Sequence, residues 1–457
     1  MRYEEYKTAE MPWINKIPAH WSQIRNGGLF EYHQDKVGAD FGKYQLLSLS
    51  VQGIRVKNIL DTSGKVPASY EGYQKVSDGD MVFCLFDLDC SAVFSGLSEL
   101  NGMITSAYDV MTPKCKIVNP KYLDYYFKAV FAGRYYKIFA KSVRYTINYD
   151  VFKALKSPVP PREEQDQIVR YLDWKVSCIN KLIHGYQRQI KLLEERYTSM
   201  VTEAVVHGID EDVHLVDVNI QGFDRIPDTW KVVQNKRIFR ERSDVSKTGN
   251  ETLLSVSKRF GIKPYNKLEE REKLATIKPA DSLVGYKKVA VGNLAMNIMR
   301  ARNGSYGISD YEGIVSPAYC VYELVMPADS RYIHYLLKTP QVISLFEAYS
   351  YGICEHRRRL YAPDFLRLYL PIPPVEEQKE IADYIAVEEK RKHNLIKQLE
   401  KKISLLKEYR TRLISDVVTG QMDVRSVVVP DYTPEDDTEE NEADDETTDE
   451  EVSMDAD

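Results

Sequence analysis

The chain has 457 residues and a mass of 52.8 kDa, a length that is typical of two to four domains. Hydrophobic residues make up 43% and charged residues 28% of the sequence, as in soluble globular proteins. No apolar run approaches the roughly 20 residues that a membrane span requires, and the first ten residues lack the apolar core of a signal peptide. We therefore expect a cytoplasmic protein.

The net charge of −6 has its origin at one end of the chain. Residues 431–457 hold 15 Asp or Glu and no Lys or Arg, so residues 1–430 carry 62 basic against 53 acidic side chains, a net charge of +9. A basic body of this kind could accept a polyanion. This acidic C-terminal end lacks the apolar residues needed for folding, so we expect residues 422–457 to be an acidic, disordered tail. Its role would be to solubilise the chain or to mimic DNA.

Two halves of the sequence repeat each other at an offset of 207 to 213 residues. Ile-Pro-Ala-His-Trp at residues 17–21 returns as Ile-Pro-Asp-Thr-Trp at residues 226–230. Gly-Met-Ile-Thr-Ser-Ala-Tyr at residues 102–108 is matched by Gly-Ile-Val-Ser-Pro-Ala-Tyr at residues 313–319. A constant offset over almost the whole chain predicts a tandem duplication of a unit of about 210 residues.

Each repeat begins with a globular part, at residues 1–157 and 223–370. Short β-branched and aromatic runs alternate there with Gly and Asp turn signals. Both parts end in apparent helix, at residues 121–139 and 331–349. We interpret each as an α/β (α+β) domain with a mixed sheet.

A long helix is predicted after each domain, at residues 158–208 and 371–421. Pro-Pro pairs followed by glutamates are typical of a helix start. Apolar residues then recur at steps of three and four, which is the pattern of a heptad seam. The seam residues are Leu172, Val176, Ile179, Ile183, Ile190 and Leu193 in the first helix, and Ile385, Ile396, Leu399, Ile403, Leu406 and Leu413 in the second.

Length arguments predict how the two helices pair. A helix over residues 163–206 is about 66 Å long at ~1.5 Å per residue. The linker at residues 209–222 spans at most ~50 Å at ~3.6 Å per residue, so it cannot return to the start of this helix. We therefore predict two long antiparallel coiled-coil helices with one domain near each end, a pseudo-twofold dumbbell. The alternative is that each helix packs on its own domain.

Motifs for catalysis and for metal binding are absent from the sequence. There is no phosphate-binding GxxxxGK[ST] loop, no Gly-rich cofactor fingerprint, no CxxC pair and no HExxH. The glutamate pairs at the two helix starts are explained by the helix dipole. We therefore predict a chain that is non-catalytic by itself and binds no metal and no cofactor of its own.

Two globular domains, each followed by a Pro-Pro-x-Glu-Glu-Gln helix start at residues 160–165 and 373–378, resemble the specificity subunit of type I restriction-modification enzymes. The resemblance covers residues 10 to about 421. It implies that each domain is a target-recognition domain for one half of an asymmetric, bipartite double-stranded DNA sequence, and that the helix pair fixes the gap. A structural coiled-coil scaffold and a methylation-only (orphan) specificity chain are the alternatives.

The resemblance also implies partners, in a prokaryotic cytoplasm. Two modification subunits would dock on the helices and methylate adenine N6 with S-adenosylmethionine. Restriction subunits would add translocation and cleavage with ATP and Mg²⁺. Trp174 lies two residues beyond the seam, where it could face a partner or, equally, pack on its own domain.

Candidate DNA-binding residues are those that can aim donors at base edges or phosphates. A basic loop precedes the first long helix and has a counterpart in the second repeat. A further stretch of the second domain combines two arginines, an asparagine and a glycine, whereas the corresponding residues 87–89 are acidic. For every candidate, ordinary surface charge is the alternative. The candidates are Lys141, Arg144, Tyr145 and Asn148, then Arg300, Arg302 and Asn303, and finally Arg357, Arg358 and Arg359.

Overall fold

The computed structural model describes residues 2–51, 53–57, 69–88, 91–140, 145–210, 212–258, 261–269, 272–273, 280, 282–352 and 358–435. They fall into two compact units. The first unit joins the residues up to Arg188 to those from Leu399, and the second unit is Gln189–Gln398. Each unit thus holds one globular domain together with parts of both long helices.

The two domains contain twelve strands each, in the same order. The strands of the first are β1 Tyr6–Met11, β2 Ile14–Pro18, β3 Ser22–Arg25, β4 Phe30–His33, β5 Leu47–Ser50, β6 Gly53–Val56, β7 Gln74–Val76, β8 Met81–Phe83, β9 Ser95–Leu97, β10 Gly102–Ile104, β11 Asp109–Pro113 and β12 Lys156–Val159. The strands of the second are β13 Leu215–Ile220, β14 Phe223–Pro227, β15 Lys231–Gln234, β16 Phe239–Arg242, β17 Leu254–Ser257, β18 Gly261–Pro264, β19 Lys287–Val289, β20 Leu294–Asn297, β21 Tyr306–Ile308, β22 Gly313–Val315, β23 Tyr319–Leu324 and β24 Tyr369–Ile372.

Helices surround the strands and connect the domains. They are α1 Asn26–Leu29, α2 Pro120–Ala132, α3 Tyr149–Ala154, α4 Arg162–His207, α5 Asn235–Ile238, α6 Ser330–Leu337, α7 Pro340–Ala348, α8 Ala362–Arg367 and α9 Val375–Val418. Short 3₁₀ turns lie at Gly38–Lys43, Tyr135–Phe139, Tyr265–Lys267 and Ala301–Asn303. No helix in the described part of the chain combines the length and the apolar character needed to cross a membrane.

The sheets repeat the duplication strand by strand. A four-stranded sheet has the order β4-β11-β8-β9 in the first domain and β16-β23-β20-β21 in the second. The same hairpins and strand pairs accompany it in both domains: β1-β2, β3-β12, β5-β6 and β7-β10, matched by β13-β14, β15-β24, β17-β18 and β19-β22. These ladders are antiparallel, and parallel pairing among the described residues occurs as two isolated bridges, Leu46–Met103 and Leu253–Ile314. The domains therefore combine helices and strands as predicted, but the mixed sheet is an antiparallel one.

Each core includes the end of the long helix that begins in the other repeat. In the first unit, Leu413, Val417 and Val418 at the end of α9 are buried with the aromatic side chains of the first domain. In the second unit, the end of α4 is buried in the same way, through residues 204–206. One hydrogen bond is duplicated as well. The Tyr122 hydroxyl donates to the Val418 carbonyl at 3.2 Å, and the Tyr332 hydroxyl donates to the Val205 carbonyl at 3.0 Å. The burial of each such aliphatic side chain contributes roughly 1.5–3 kcal/mol.

The Pro-Pro-x-Glu-Glu-Gln residues attach each long helix to its own domain. The Gln165 side chain accepts from the Asn119 backbone N–H at 2.7 Å and donates to the Pro160 carbonyl at 2.8 Å. Gln378 makes the equivalent bonds, to the backbone N–H of Asp329 and the carbonyl of Pro373, both at 2.9 Å. Because Asn119 and Asp329 are the N-caps of α2 and α6, the motif fixes the angle between two helices.

The second glutamate of each motif accepts from the tryptophan of the Ile-Pro-x-x-Trp segment. Glu164 accepts from Trp21 Nε1 at 3.0 Å, and Glu377 accepts from Trp230 Nε1 at 2.9 Å. The helix dipole alone was the reason predicted for these glutamates. The structure adds a second reason: each glutamate accepts a hydrogen bond from a buried indole N–H group, which needs such an acceptor.

The twelve predicted seam residues are all buried or half-buried, although long stretches of both helices are exposed. The buried members are Leu172, Ile179, Ile183, Ile385, Leu399 and Leu413. Contacts between the helices occur inside each unit. In the first unit, the Arg410 guanidinium donates to Asn180 Oδ1 at 2.7 Å. In the second, Lys392 Nζ lies 3.8 Å from the centre of the Tyr197 ring.

Trp174 packs on its own unit, which is one of the two predicted alternatives. Its half-buried ring lies against the first core, 6.1 Å from the Tyr171 ring centre, and Lys175 Nζ covers it at 3.8 Å. A cation–π contact of this kind explains the position of the ring without an additional protein partner.

Two predicted boundaries change. The segment predicted as a linker at residues 209–222 contains β13, which pairs with β14, so the second domain begins near Leu215 rather than at residue 223. The predicted disorder of residues 422–457 is wrong for residues 422–435. Val424 is buried, and Gln167 Nε2 on α4 donates to the carbonyls of Val424 and Val427 at 3.1 and 2.7 Å. Residues 436–457 lie outside the described residues.

Candidate nucleic-acid interface

Two segments that are far apart in sequence meet beside the four-stranded sheet of each domain. The first, which we name the strand-end loop, follows β8 in the first domain and β20 in the second, and its described residues are 84–88 and 91 or 298–305. The second, the helix-entry segment, precedes α3 or α8 at residues 145–148 or 358–361. In the first domain the Ile147 N–H donates to the Leu85 carbonyl at 2.8 Å. In the second, the Leu360 N–H donates to the Ile298 carbonyl at 2.9 Å.

Buried side chains anchor this junction in both domains. Ile147 and Leu360 are 2% and 0% exposed, so the neighbouring residues are held at fixed positions while their own side chains point away from the core. The fold therefore brings together the two groups of candidate DNA-binding residues that the sequence could name only separately.

In the second domain the junction carries a cluster of guanidinium groups. Arg300 and Arg359 are exposed, and Arg302 and Arg358 are half-buried. Within the described chain, none of these four side chains forms an ion pair with a carboxylate. Asn303 beside them is exposed, and its backbone N–H donates to the Arg300 carbonyl at 3.0 Å. Unpaired arginines on a backbone that is held in place can bind phosphates or the O6 and N7 atoms of guanine.

The first domain has different side chains at the same junction. Tyr145 is exposed at a left-handed φ of 46°, its carbonyl accepts from the Leu88 N–H at 3.4 Å, and Lys137 Nζ lies 4.6 Å from its ring centre. The Asn148 side chain caps α3 by accepting from the Val151 N–H at 2.9 Å. This cap explains the asparagine in structural terms. Lys141, Arg144 and Arg357 lie outside the described residues.

Two lysines near the second junction were not among the sequence candidates. Lys338 at the end of α6 donates through Nζ to the Gly304 carbonyl at 2.5 Å. Burial, and then the charge of Lys258, lower the pKa of Lys338 to about 8. One turn earlier, burial and then the charge of Lys338 lower the pKa of His334 to about 4, so the imidazole is neutral and its Nδ1 accepts from the Ile308 N–H at 3.3 Å. Sequence alone gives no signal for the hydrogen bonds of Lys338 and His334, because their partners Gly304 and Ile308 lie 34 and 26 positions away.

The junction offers polar and cationic groups but no cluster for metal chemistry. Across the described residues, no group of three or more His, Cys, Asp or Glu side chains is arranged to hold a metal ion. The chemistry that the observed side chains can perform is recognition of an anionic or hydrogen-bonding surface.

The comparisons with known proteins agree with one another. Residues 227–405 match the family model described as type I restriction modification DNA specificity domain. A putative type I restriction enzyme MjaX specificity subunit from Methanocaldococcus jannaschii is 25% identical over 440 residues, covering 88% of this chain and 96% of that protein. The MjaVIII specificity subunit of the same organism is 23% identical over 451 residues, covering 93% and 98%.

The chain is similar to the specificity subunits of type I restriction-modification systems.

A solved structure shares the fold of this chain. It was determined in work on complex assembly and conformational transition of the type I restriction-modification system, and it superposes with a TM-score of 0.58 at 15% identity, covering 89% of this chain and 99% of that one. The family model covers the second domain and most of α9. The first domain of this chain is related to the second by the duplicated strand order.

Proposed function

We propose that this chain is the DNA sequence-specificity subunit of a type I restriction-modification complex, in which each domain reads one half of an asymmetric, bipartite target. The observation that supports this most directly is one junction built twice with different side chains. The second domain presents Arg300, Arg302, Arg358 and Arg359, whereas the first presents Tyr145 and the residues beside it. Because a groove is read by donors and acceptors on the protein, different side chains on equal backbones favour different half-sites.

The two long helices are proposed to form an antiparallel coiled coil that sets the unread gap. Support comes from the twelve seam residues, of which six are buried and six half-buried, and from contacts inside each unit, such as Arg410 with Asn180. The start of one helix and the end of the other share each core, which is the pairing expected for opposite chain directions. Together with the length of α4, this favours a dumbbell with one domain near each end.

The catalytic steps are proposed to belong to partner subunits. Two modification subunits would bind the helices and use S-adenosylmethionine to methylate adenine N6, and restriction subunits would use ATP and Mg²⁺. The specificity chain would bind none of these cofactors and would work in a prokaryotic cytoplasm. A methylation-only complex would require the same chain, so cleavage depends on whether restriction subunits join.

Methylation mapping tests the proposed function. The chain is co-expressed with the modification subunit of its own system in a host that lacks other adenine methylation, and the methylated adenines are located by sequencing. We expect one asymmetric motif of two short parts separated by a fixed gap. Exchange of residues 215–370 for the second domain of another specificity subunit should change only one part. A stable complex that methylates no defined motif would contradict the proposal. Failure to form any complex would favour a structural scaffold.

The arginines of the second junction should carry much of its DNA affinity. We expect Arg300→Ala with Arg302→Ala, and separately Arg358→Ala with Arg359→Ala, to weaken binding of the mapped target by roughly 10- to 100-fold, since each good base or phosphate contact is worth about 1–3 kcal/mol. Dissociation constants at fixed salt provide the measurement. Arg240→Ala is the matched control, because that exposed guanidinium is already paired with Glu323. Equal loss in the control would show a general charge effect instead.

A further inference from the structure

A cation reaches the strand-end loop from outside it in both domains. In the second domain Lys338 Nζ donates to the Gly304 carbonyl at 2.5 Å. In the first domain Arg134 Nη1 donates to the carbonyls of Leu88 and Ser91 at 3.1 and 2.9 Å. Both cations lie at or just beyond the C-terminal end of the helix that follows the sheet, α6 and α2. Both therefore connect the loop to a helix that has one face buried in the core of its domain.

In the second domain this connection adds a charged hydrogen bond to a turn that the backbone also closes. The turn Ala301–Asn303 ends at Gly304, whose φ of 81° lies in the left-handed region. Within the loop, the Gly304 carbonyl accepts from the Tyr306 N–H at 2.9 Å, and the Ser305 N–H donates to the Arg300 carbonyl at 3.1 Å. Lys338 supplies a second donor to the Gly304 carbonyl, from outside the loop. A charged donor to a carbonyl forms a stronger bond than a neutral one, so the turn is fixed from its far side.

The surroundings of Lys338 are unfavourable for a charged lysine side chain. Its amine is half-buried, 4.6 Å above the Tyr306 ring centre, and it lacks an ion pair with any carboxylate of the described residues. Lys258 faces it with a charge of the same sign, from the turn after β17. Burying an unpaired cation costs free energy, which the hydrogen bond and the ring contact offset only in part. Stability alone does not account for this placement.

The equivalent residue of the first domain shows that the fold does not require it. Lys128 lies 210 positions before Lys338, and it pairs with Asp124 at 2.7 Å as an ordinary surface lysine. The first domain uses Arg134 instead, at a left-handed φ of 52° and 4.2 Å from the Phe131 ring centre. Two domains with a common origin thus make the same connection through residues at different positions. The shared feature is the connection itself.

We propose that Lys338 and Arg134 are positioning residues for DNA recognition, each fixing the strand-end loop of its own domain and thereby the half-site that this domain reads. This inference rests on the proposed function. The cations act through the loop: Lys338 holds Gly304, next to Arg302 and Asn303, and does not itself have to reach a base. A loop held in one conformation loses less entropy on binding and discriminates bases better than a mobile one.

The test uses the full specificity chain in complex with its modification subunit. Lys338→Met keeps the aliphatic stem over Tyr306 and removes the donor. We expect it to lower methylation of the mapped target at least 10-fold and to relax base preference only in the half that the exchange of residues 215–370 assigns to the second domain. Arg134→Met should relax only the other half. Lys338→Arg, which can donate to the same carbonyl, should restore both the level and the motif.

Matched controls separate positioning from unfolding and from failure of the proposed function. Lys128→Met should leave level and motif unchanged. Relaxed preference spread equally over both halves, or loss without rescue by Lys338→Arg and with a fall in thermal stability, would assign Lys338 a purely structural role. An unchanged motif and level in Lys338→Met would also overturn the inference. If the complex without substitutions methylates no defined motif, the proposed function is wrong.

Discussion

Replacing Glu164 with alanine should lower the free energy of unfolding of the first unit by about 3–4 kcal/mol. The carboxylate is 6% exposed and accepts from the Tyr3 hydroxyl at 2.7 Å, from Trp21 Nε1 at 3.0 Å and from His20 Nε2 at 2.7 Å. Each buried donor left without an acceptor costs roughly 1–3 kcal/mol. Burial, followed by the bond to Glu164, raises the pKa of Tyr3, so its hydroxyl remains protonated and in need of an acceptor.

The second repeat supplies the control for this prediction. Glu377 is half-buried and accepts a hydrogen bond from Trp230 Nε1. Among the described residues, no donors equivalent to Tyr3 and His20 bind this carboxylate. Glu377→Ala should therefore cost only about 1 kcal/mol, and Glu164→Gln should be milder than Glu164→Ala because one acceptor oxygen remains. Urea unfolding of the purified chain, followed by hydrogen exchange in residues 2–25, provides the measurement. Equal costs for the two alanine variants would contradict the assigned hydrogen-bond network.

Gly420→Ala should loosen the end of α9 from the first domain, at a cost of about 3 kcal/mol. Gly420 has a φ of 74°, and a Cβ built on it would lie 2.3 Å from Pro18 Cδ, part of a ring that cannot rotate away. Left-handed backbone costs an L-residue roughly 1–2 kcal/mol, and the steric overlap adds to this. Loss of protection from hydrogen exchange in residues 405–418 is the expected observation.

Gly292 provides the comparison that isolates the overlap. Its φ of 83° is close to that of Gly420, but a Cβ built there meets nothing within 4 Å. Gly292→Ala should therefore lower the free energy of unfolding only by the cost of left-handed backbone, about 1–2 kcal/mol. If Gly420→Ala is no more destabilising than Gly292→Ala, the contact between the helix end and the Ile-Pro-x-x-Trp segment does not stabilise the unit.

The long helices and the duplication could be predicted because their signals are periodic. Positions such as Leu172 and Leu413 recur at steps that only a helix brings to one face, and the fixed offset between repeats requires no knowledge of contacts. The hairpin at β13 was missed, although residues 215–220 alternate in burial as a strand does. Its position directly after a long helix favoured a linker, and only the pairing with β14 identifies it as a strand.

Other features depend on contacts that the sequence does not contain. Residues 422–435 hold one methionine, four valines and one tyrosine, but the acidic residues that follow them dominate the composition of residues 422–457. Residues 422–435 pack on the first core, and donors on α4, such as Gln167 and Ser177, bind carbonyls more than 250 positions away. The candidate site was predictable only in part. Arg300 and Arg359 could be named from composition, but their proximity, and the roles of Lys338 and Arg134, follow from the strand order.

The shared cores have a consequence for the synthesis of the chain. The described residues of the second unit form one continuous stretch, so all of its parts have been synthesised once Gln398 has been translated. The first domain is made earlier, but its core also needs Leu413, Val418 and Val424. At about 5–20 residues per second, the roughly 250 residues between the start of α4 and Leu413 take some 12–50 s. During that interval the apolar face that receives the end of α9 is uncovered, so the domain translated first is the last to be completed.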